Sequence, residues 1–181
     1  MMKTINLVLL FSLIFPVFVL AQNKNFHDFS AKTISGEMLD FSTFEGKKVL
    51  IVNTASKCGL TKQYTDLEAL YKEYGGENFE IIGFPANNFL SQEPGTDEEI
   101  EEFCQVNYGV SFQMMSKISV KGKDMDPVYQ WLTDEEQNGK EDSKVSWNFQ
   151  KYMVDENGNL VGHLSPKTNP KDEEIINWLK S

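Results

Sequence analysis

Lys48-Val-Leu-Ile-Val52 is a short apolar run, rich in β-branched residues and bounded by polar ones, which predicts a buried strand. Directly after it come Asn53-Thr-Ala-Ser-Lys-Cys58-Gly-Leu-Thr61 and then apolar or aromatic residues at Tyr64, Leu67, Leu70, Tyr71 and Tyr74. That spacing fits one face of an amphipathic helix opening at Leu60-Thr61, with Gly59 allowing a tight turn. A second core strand is predicted over Asn78-Phe-Glu-Ile-Ile-Gly-Phe84, ended by Pro85. Cys58 therefore falls at a strand-to-helix corner, where unpaired backbone N–H groups and the helix dipole favour a thiolate.

The flanking segments complete the pattern. Residues 26–44 carry two short alternating runs around Ser35-Gly36-Glu37, a hairpin signature. The stretch from Asn87 to Gly95 reads as a loop. Thr96 followed by Glu99 forms a capping box, so a helix is expected over 97–107, with Cys104 inside it. Residues 117–120 are expected to form a strand. Pro127 starts a helix through Leu132, and a polar loop over 133–144 leads to Val145-Ser-Trp-Asn-Phe149. Lys151–Val154 and Leu160–Leu164, joined through Glu156-Asn-Gly158, predict a hairpin, and a helix closes the chain over 171–180. Strands alternating with helices and then an antiparallel pair imply an α/β domain. Its mixed central β-sheet should carry helices on both faces, with an N-terminal β-hairpin.

The first residues follow a different logic. Met1-Met-Lys3, an apolar run over 5–20 and Val19-Leu-Ala21 ahead of Gln22 make the three-part pattern of a secretory signal peptide. The run is short for a membrane span and Pro16 would kink it, so a stable membrane anchor is not expected. The expected organisation is a signal peptide over 1–21 and one domain over 22–181, exported to a periplasm or the extracellular space. The formal net charge is −10, with acidic clusters at Asp97-Glu98-Glu99, Asp134-Glu135-Glu136 and Asp172-Glu173-Glu174. With no basic patch interleaved with aromatics, nucleic acid is not an expected partner. His27 and His163 lack any partner pattern, so neither a metal site nor another cofactor is expected. Two cysteines, Cys58 and Cys104, are too few for a disulfide framework. A bond between them would be a working one rather than a staple.

Spacing around Cys58 removes several cysteine chemistries. Thr61 excludes C-x-x-C and Lys62 excludes C-x-x-x-C, while Ile51 and Ala55 stand where a peroxiredoxin would carry Pro and Thr or Ser. What remains resembles the glutathione peroxidase family in three ordered segments. They are Asn53-Thr-Ala-Ser-Lys-Cys58-Gly-Leu-Thr61, then Gly83-Phe-Pro-Ala-Asn-Asn-Phe89 with Gln92-Glu-Pro-Gly95, and then Trp147-Asn148-Phe149 with Lys151-Tyr152. The similarity runs from about Phe29 to the C-terminus.

The resemblance implies a thioredoxin-like fold and a peroxidase. It assigns Cys58 as the peroxidatic cysteine, completed by Gln92, Trp147 and Asn148. Amide and indole N–H groups are neutral donors, suited to an anionic thiolate and a departing oxygen without adding a titrating group. Cys104, within Phe103-Cys-Gln-Val-Asn-Tyr-Gly-Val-Ser-Phe112, resembles the resolving cysteine of the two-cysteine, thioredoxin-dependent branch. The implied cycle runs through a Cys58 sulfenic acid and a Cys58-Cys104 disulfide, recycled by a thioredoxin-like protein or other thiol reductant. Because a disulfide requires Cα atoms within about 7 Å, the helix over 97–107 is expected to unwind locally during turnover. The short 133–144 loop implies a monomer, since tetrameric family members carry an insertion there.

Other readings of the same residues stay open. Cys58 and Cys104 could serve a peroxide-sensing redox relay that passes a disulfide to a partner protein. Cys104 could be a small apolar core residue, and the whole could be a binding domain that kept only the fold. The chain also departs from the family pattern. Ala86 stands for a frequent Cys, Asn88 for a usual Gln, Leu90 for a usual Gly, Gln113 for a usual Pro, and His163-Leu164 for an Arg-aromatic pair. Leu90 threatens the path of the loop that presents Gln92.

Overall fold

The computed structural model describes residues 24–181, so the expected signal segment lies outside the described residues. β1 (Ser30–Lys32) and β2 (Met38–Asp40) pair antiparallel across the predicted turn, where Gly36 takes φ +89°. Next come β3 (Lys48–Thr54), α1 (Gln63–Tyr74), β4 (Phe79–Pro85), α2 (Asp97–Tyr108) and β5 (Gln113–Met114). α3 (Pro127–Thr133), α4 (Glu135–Asn138), β6 (Lys151–Val154), β7 (Leu160–Leu164) and α5 (Glu173–Lys180) complete the chain. The main sheet has the order β5-β4-β3-β6-β7, with β3 parallel to β4 and antiparallel to β6. This is the mixed sheet that the alternation of strands and helices predicted.

Alternation along β3 separates two cores, because successive side chains of a strand point to opposite faces. Val49 and Ile51 join Ile82 and Phe84 under Tyr129, Trp131 and Leu132 of α3 and the rings of Phe26, Phe41 and Phe44. Leu50 and Val52 join Ile81 on the other face, beneath Tyr64, Leu67 and Leu70 of α1, Ile100 and Cys104 of α2, and Ile175 of α5. All seven residues of β3 are buried, as are all seven of β4. Full burial of each aliphatic side chain stabilises the fold by about 1.5–3 kcal/mol before the entropy of ordering it is counted.

α2 is built differently. Thr96 Oγ1 accepts the Glu99 N–H at 3.3 Å and the Glu99 carboxylate accepts the Thr96 N–H at 2.9 Å, which is the predicted capping box. Gly109 ends the helix in the left-handed region at φ +60°. Of its twelve residues only Ile100 and Cys104 are buried.

Three expectations change in detail. Residues 117–120 do not form a strand: the Lys117 N–H donates to Asp97 Oδ1 at 2.8 Å and the Val120 N–H to Asn88 Oδ1 at 2.8 Å. Side chains thus take two of the four amides, Ile118 keeps only an isolated parallel bridge to Ala86 with its N–H on the Pro85 carbonyl at 3.0 Å, and Gln113–Met114 is the segment that pairs with β4 as a strand. The polar 133–144 loop contains the short α4, whose end is marked by Gly139 at φ +70°. The helix after Cys58 begins at Gln63 rather than at Leu60-Thr61.

Candidate active site

β3 delivers the chain to the carboxyl edge of the sheet, where residues 55–62 turn back before α1. Thr61 fixes this turn from inside: its hydroxyl accepts the Cys58 N–H at 3.0 Å and donates to the Ala55 carbonyl at 2.7 Å. The turn aims the Leu60 N–H at Cys58 Sγ, 3.4 Å away. A backbone donor therefore faces the half-buried sulfur from the tight turn itself, not from the first turn of α1 as the sequence had suggested.

The loop between β4 and α2 is stitched to this corner. The Lys57 N–H donates to the Gln92 carbonyl at 3.0 Å, so the residue beside Cys58 holds the residue that presents the Gln92 side chain. Leu90 and Ser91 both take φ +51°, the left-handed region that a glycine occupies without cost. Leu90 therefore leaves the path of the loop intact by accepting backbone strain, with its side chain 79% exposed. Asn88, in place of a usual Gln, donates to Ser119 Oγ at 2.9 Å while accepting from Val120.

The third segment is held by one residue of β3. Asn53 is fully buried; its Nδ2 donates to the Trp147 carbonyl at 3.1 Å and its Oδ1 accepts the Gln150 N–H at 3.1 Å. Its own carbonyl accepts the Phe149 N–H at 2.6 Å, and Phe149 sits at φ +69°. This knot presents Asn148, whose Nδ2 donates to Gln92 Oε1 at 2.9 Å. Trp147 packs on Phe89 with ring centroids 5.4 Å apart.

The fold thus joins Gln92 and Asn148 directly, sets Trp147 beside the same loop, and ties that loop to the Cys58 turn. Because Gln92 Oε1 is occupied by Asn148, the Nε2 edge of Gln92 is the one left to donate outward. Cys104 is not in this group. It lies in α2, 1% exposed, and both cysteines are free thiols. Burial pushes the Cys104 thiol up to about 11; the neighbouring Tyr64 hydroxyl acts to lower it and the charges of Glu93 and Glu101 raise it further.

Sequence reasoning had not singled out three contributors. Asn53 and Glu93 are polar residues with no exposure at all, and Thr61 is nearly buried. The available signal for Asn53 was an amide directly continuing the apolar run over 49–52. Glu93 was visible only as a charged residue inside Gln92-Glu-Pro-Gly95, and its burial comes from contacts distant in sequence.

Known proteins resemble this arrangement closely. The model of the family described as glutathione peroxidase matches residues 26–133. A glutathione peroxidase of Lactococcus lactis is 47% identical over 150 residues, covering 83% of this chain and 95% of its own length. The glutathione peroxidase-like peroxiredoxin HYR1 of Saccharomyces cerevisiae is 50% identical over 147 residues, covering 80% and 90%. Among solved structures, Trgpx in its apo form superposes with a TM-score of 0.68 at 36% identity, over 88% of this chain and 98% of that one. A thioredoxin family protein of Chlorobium tepidum, 15% identical with a TM-score of 0.63 over 89% and 99%, shares the fold alone, which is thioredoxin-like. With its sequence matched across the β3 corner, the Gln92 loop and α2, the chain belongs to the glutathione peroxidase family.

Proposed function

We propose that this protein is a thiol peroxidase that reduces hydrogen peroxide and organic or lipid hydroperoxides, and that a dithiol protein of thioredoxin type recycles it. The observation that carries the reading is the convergence on one corner of the Leu60 N–H, aimed at Cys58 Sγ, and the Gln92–Asn148 amide pair tethered through Lys57. Relatives named glutathione peroxidase and glutathione peroxidase-like peroxiredoxin support the same class of reaction.

The Cys58 thiolate attacks the terminal peroxide oxygen; an S–O bond forms, the O–O bond breaks, and the departing alkoxide or hydroxide leaves as alcohol or water after protonation. Donors fixed before the reaction stabilise charge developing on that oxygen at no cost of reorganisation. The Nε2 of Gln92 and the indole N–H of Trp147 fill that role, and Asn148 sets the orientation of Gln92. Cys104 then attacks the Cys58 sulfenic acid, releasing water and leaving a disulfide that the external dithiol reduces. With Ile100 as its one buried companion in α2, Cys104 reaches Cys58 through local opening of that helix.

Export belongs to the same proposal. The signal pattern over 1–21 sends residues 22–181 to a periplasm or the extracellular space as a monomer without a membrane anchor, so the reductant is one available there. Intact mass of the cell-derived protein, expected to begin at Gln22, and its sedimentation behaviour test these points. The central test is steady-state turnover with hydrogen peroxide and a lipid hydroperoxide, comparing thioredoxin with glutathione. Turnover is expected to be faster with thioredoxin and to disappear in Cys58→Ser; a Cys58→Ser protein as active as the parent would refute the mechanism.

A further inference from the structure

Beneath the Cys58 turn lies a carboxylate that the cycle above does not use. Glu93 has no exposure, and one of its oxygens is fully engaged: Oε2 accepts the Ser56 N–H at 2.8 Å and the Ser56 hydroxyl at 3.1 Å. Its Glu93 N–H is held by Asn87 Oδ1 at 2.9 Å. The other oxygen, Oε1, is buried without a hydrogen-bond partner among the described residues. An orphaned buried carboxylate oxygen is costly, and native proteins retain few of them without a reason.

The groups around it suggest the reason. Glu93 lies close enough to Cys104 of α2 and Tyr64 of α1 for its charge to act on both. The Tyr64 hydroxyl stands beside the Cys104 thiol and the Thr54 hydroxyl without a hydrogen bond of ordinary geometry. Glu93 also lines a cleft of about 530 Å³ between the Cys58 turn and α2, together with Lys57, Ile100 and Phe103. Around that cleft Lys57 comes from the Cys58 turn, Glu99 and Glu102 from α2, and Lys117, whose ammonium donates to the Glu93 carbonyl, from the segment after β5. Glu93 thus sits between the element that carries one cysteine and the element that carries the other.

We propose that Glu93 is the proton acceptor for the resolving thiol: it takes the proton of Cys104 as that sulfur attacks oxidised Cys58, and hands it to the departing hydroxide. The inference rests on the peroxidase reading. In this step the Cys104 S–H bond breaks and the S–S bond forms while the Cys58 S–O bond breaks. Cys104 sulfur is oxidised and Cys58 sulfur reduced, water leaves, and Glu93 returns to carboxylate. The arrangement answers a specific difficulty, since the thiolate and not the thiol is the nucleophile, and the orphaned Glu93 oxygen is placed where the arriving thiol must lose its proton. Burial raises the Glu93 carboxyl above the ordinary carboxylate range, which makes it a better base, while its bonds from Ser56 and the charges of Lys117 and Lys57 act the other way and favour the carboxylate. Because its Ser56 bonds fasten it to the Cys58 turn, Glu93 stays in place as α2 opens and meets Cys104 on arrival.

The test separates the two half-reactions in one experiment. Mature protein is mixed with hydrogen peroxide, quenched at intervals and analysed by mass spectrometry, with dimedone reporting sulfenic acid and thiol alkylation reporting the disulfide. Glu93→Gln keeps an oxygen for Ser56 and removes the base. It is expected to slow disulfide formation at pH 7 by about tenfold or more relative to any change in sulfenic acid formation. The residual rate should become proportional to hydroxide, and Glu93→Asp should restore an inflection in the pH profile. Equal effects of Glu93→Gln on both steps, with an unchanged profile for the second, would overturn the proposal. Should that variant fail to fold, wild-type protein decides alone. An inflection of the second step above the ordinary carboxylate range supports Glu93, and a rate that follows hydroxide up to the thiol's own titration overturns it. A wild-type protein that forms no Cys58-Cys104 disulfide removes the peroxidase cycle itself, an outcome distinct from a disulfide that forms without regard to Glu93.

Discussion

β3 and α2 hold the surroundings of the two cysteines in opposite ways. Every residue of Lys48–Thr54 is buried, and β3 is paired on both sides, parallel to β4 and antiparallel to β6. α2 buries two residues of twelve and exposes Val106 by 76%. The Cys58 corner is thus mounted on a fully buried strand, and the cysteine that travels in the proposed cycle is mounted on a helix with few anchors. In the proposed cycle, preorganisation favours the chemical step at Cys58, while low local stability favours the rearrangement that brings Cys104 to it.

The contrast is sharpest in paired truncations. Ile51→Ala, on β3, should cost about 2–5 kcal/mol of global stability, read from denaturant unfolding, because the enclosed site cannot collapse around the loss. Ile100→Ala should instead speed amide exchange throughout α2 ahead of β3, and do so more in oxidised than in reduced protein. Uniform acceleration over both elements, or α2 exchange equally slow in the two redox states, would erase the distinction between a fixed and a moving half.

A second prediction concerns the rigid half alone. Lys151 of β6 is fully buried opposite Val52, and donates to Gln63 Oε1 and to the carbonyls of Thr168 and Pro166. Burial pulls its ammonium down to about 7 from an ordinary value near 10.4. Between those values the unfolded chain binds a proton that the folded one has released, so stability should rise with pH across this window. The Lys151 contribution to the slope approaches about 1.4 kcal/mol per pH unit. In Lys151→Met that contribution should vanish; the same slope in parent and variant between pH 7 and 9.5 would contradict the assignment.

The smallest effect belongs to the joint between the two halves. Leu90→Gly should remove left-handed strain at φ +51° and stabilise the protein by about 1 kcal/mol, partly offset by the greater freedom of glycine in the unfolded chain. A melting temperature lower than the parent's would show that the exposed Leu90 side chain contributes more than its backbone costs.

Local rules made much of this legible in the sequence. The apolar runs gave β3 and β4, Thr96 with Glu99 gave the start of α2, and Glu156-Asn-Gly158 gave the β6–β7 hairpin. The resemblance to the glutathione peroxidase family, carried by three motif segments, named Cys58, Gln92, Trp147 and Asn148 as a group. What stayed hidden depends on partners far away in the chain. The Asn53 side chain reaches Trp147 and Gln150, and Ser56 reaches Glu93. Residues 117–120 read as a strand because nothing local reveals that Asp97 and Asn88 take the Lys117 and Val120 amides and leave a single bridge at Ile118. The helix after Cys58 starts late because the Thr61 hydroxyl is committed to the turn, a use of threonine that helical periodicity does not register.

Burial of Cys104 also sets how the protein fails. In the proposed cycle, a thiol that is 1% exposed and held protonated is a poor target for hydroperoxide, so the substrate does not exhaust the resolving residue. Over-oxidation is confined to Cys58, whose sulfenic acid either meets Cys104 or meets a second peroxide and becomes sulfinic acid. The two fates compete at every cycle. On that proposal, the opening rate of α2 would fix a threshold peroxide concentration, below which the enzyme survives its own substrate and above which it is inactivated as it works.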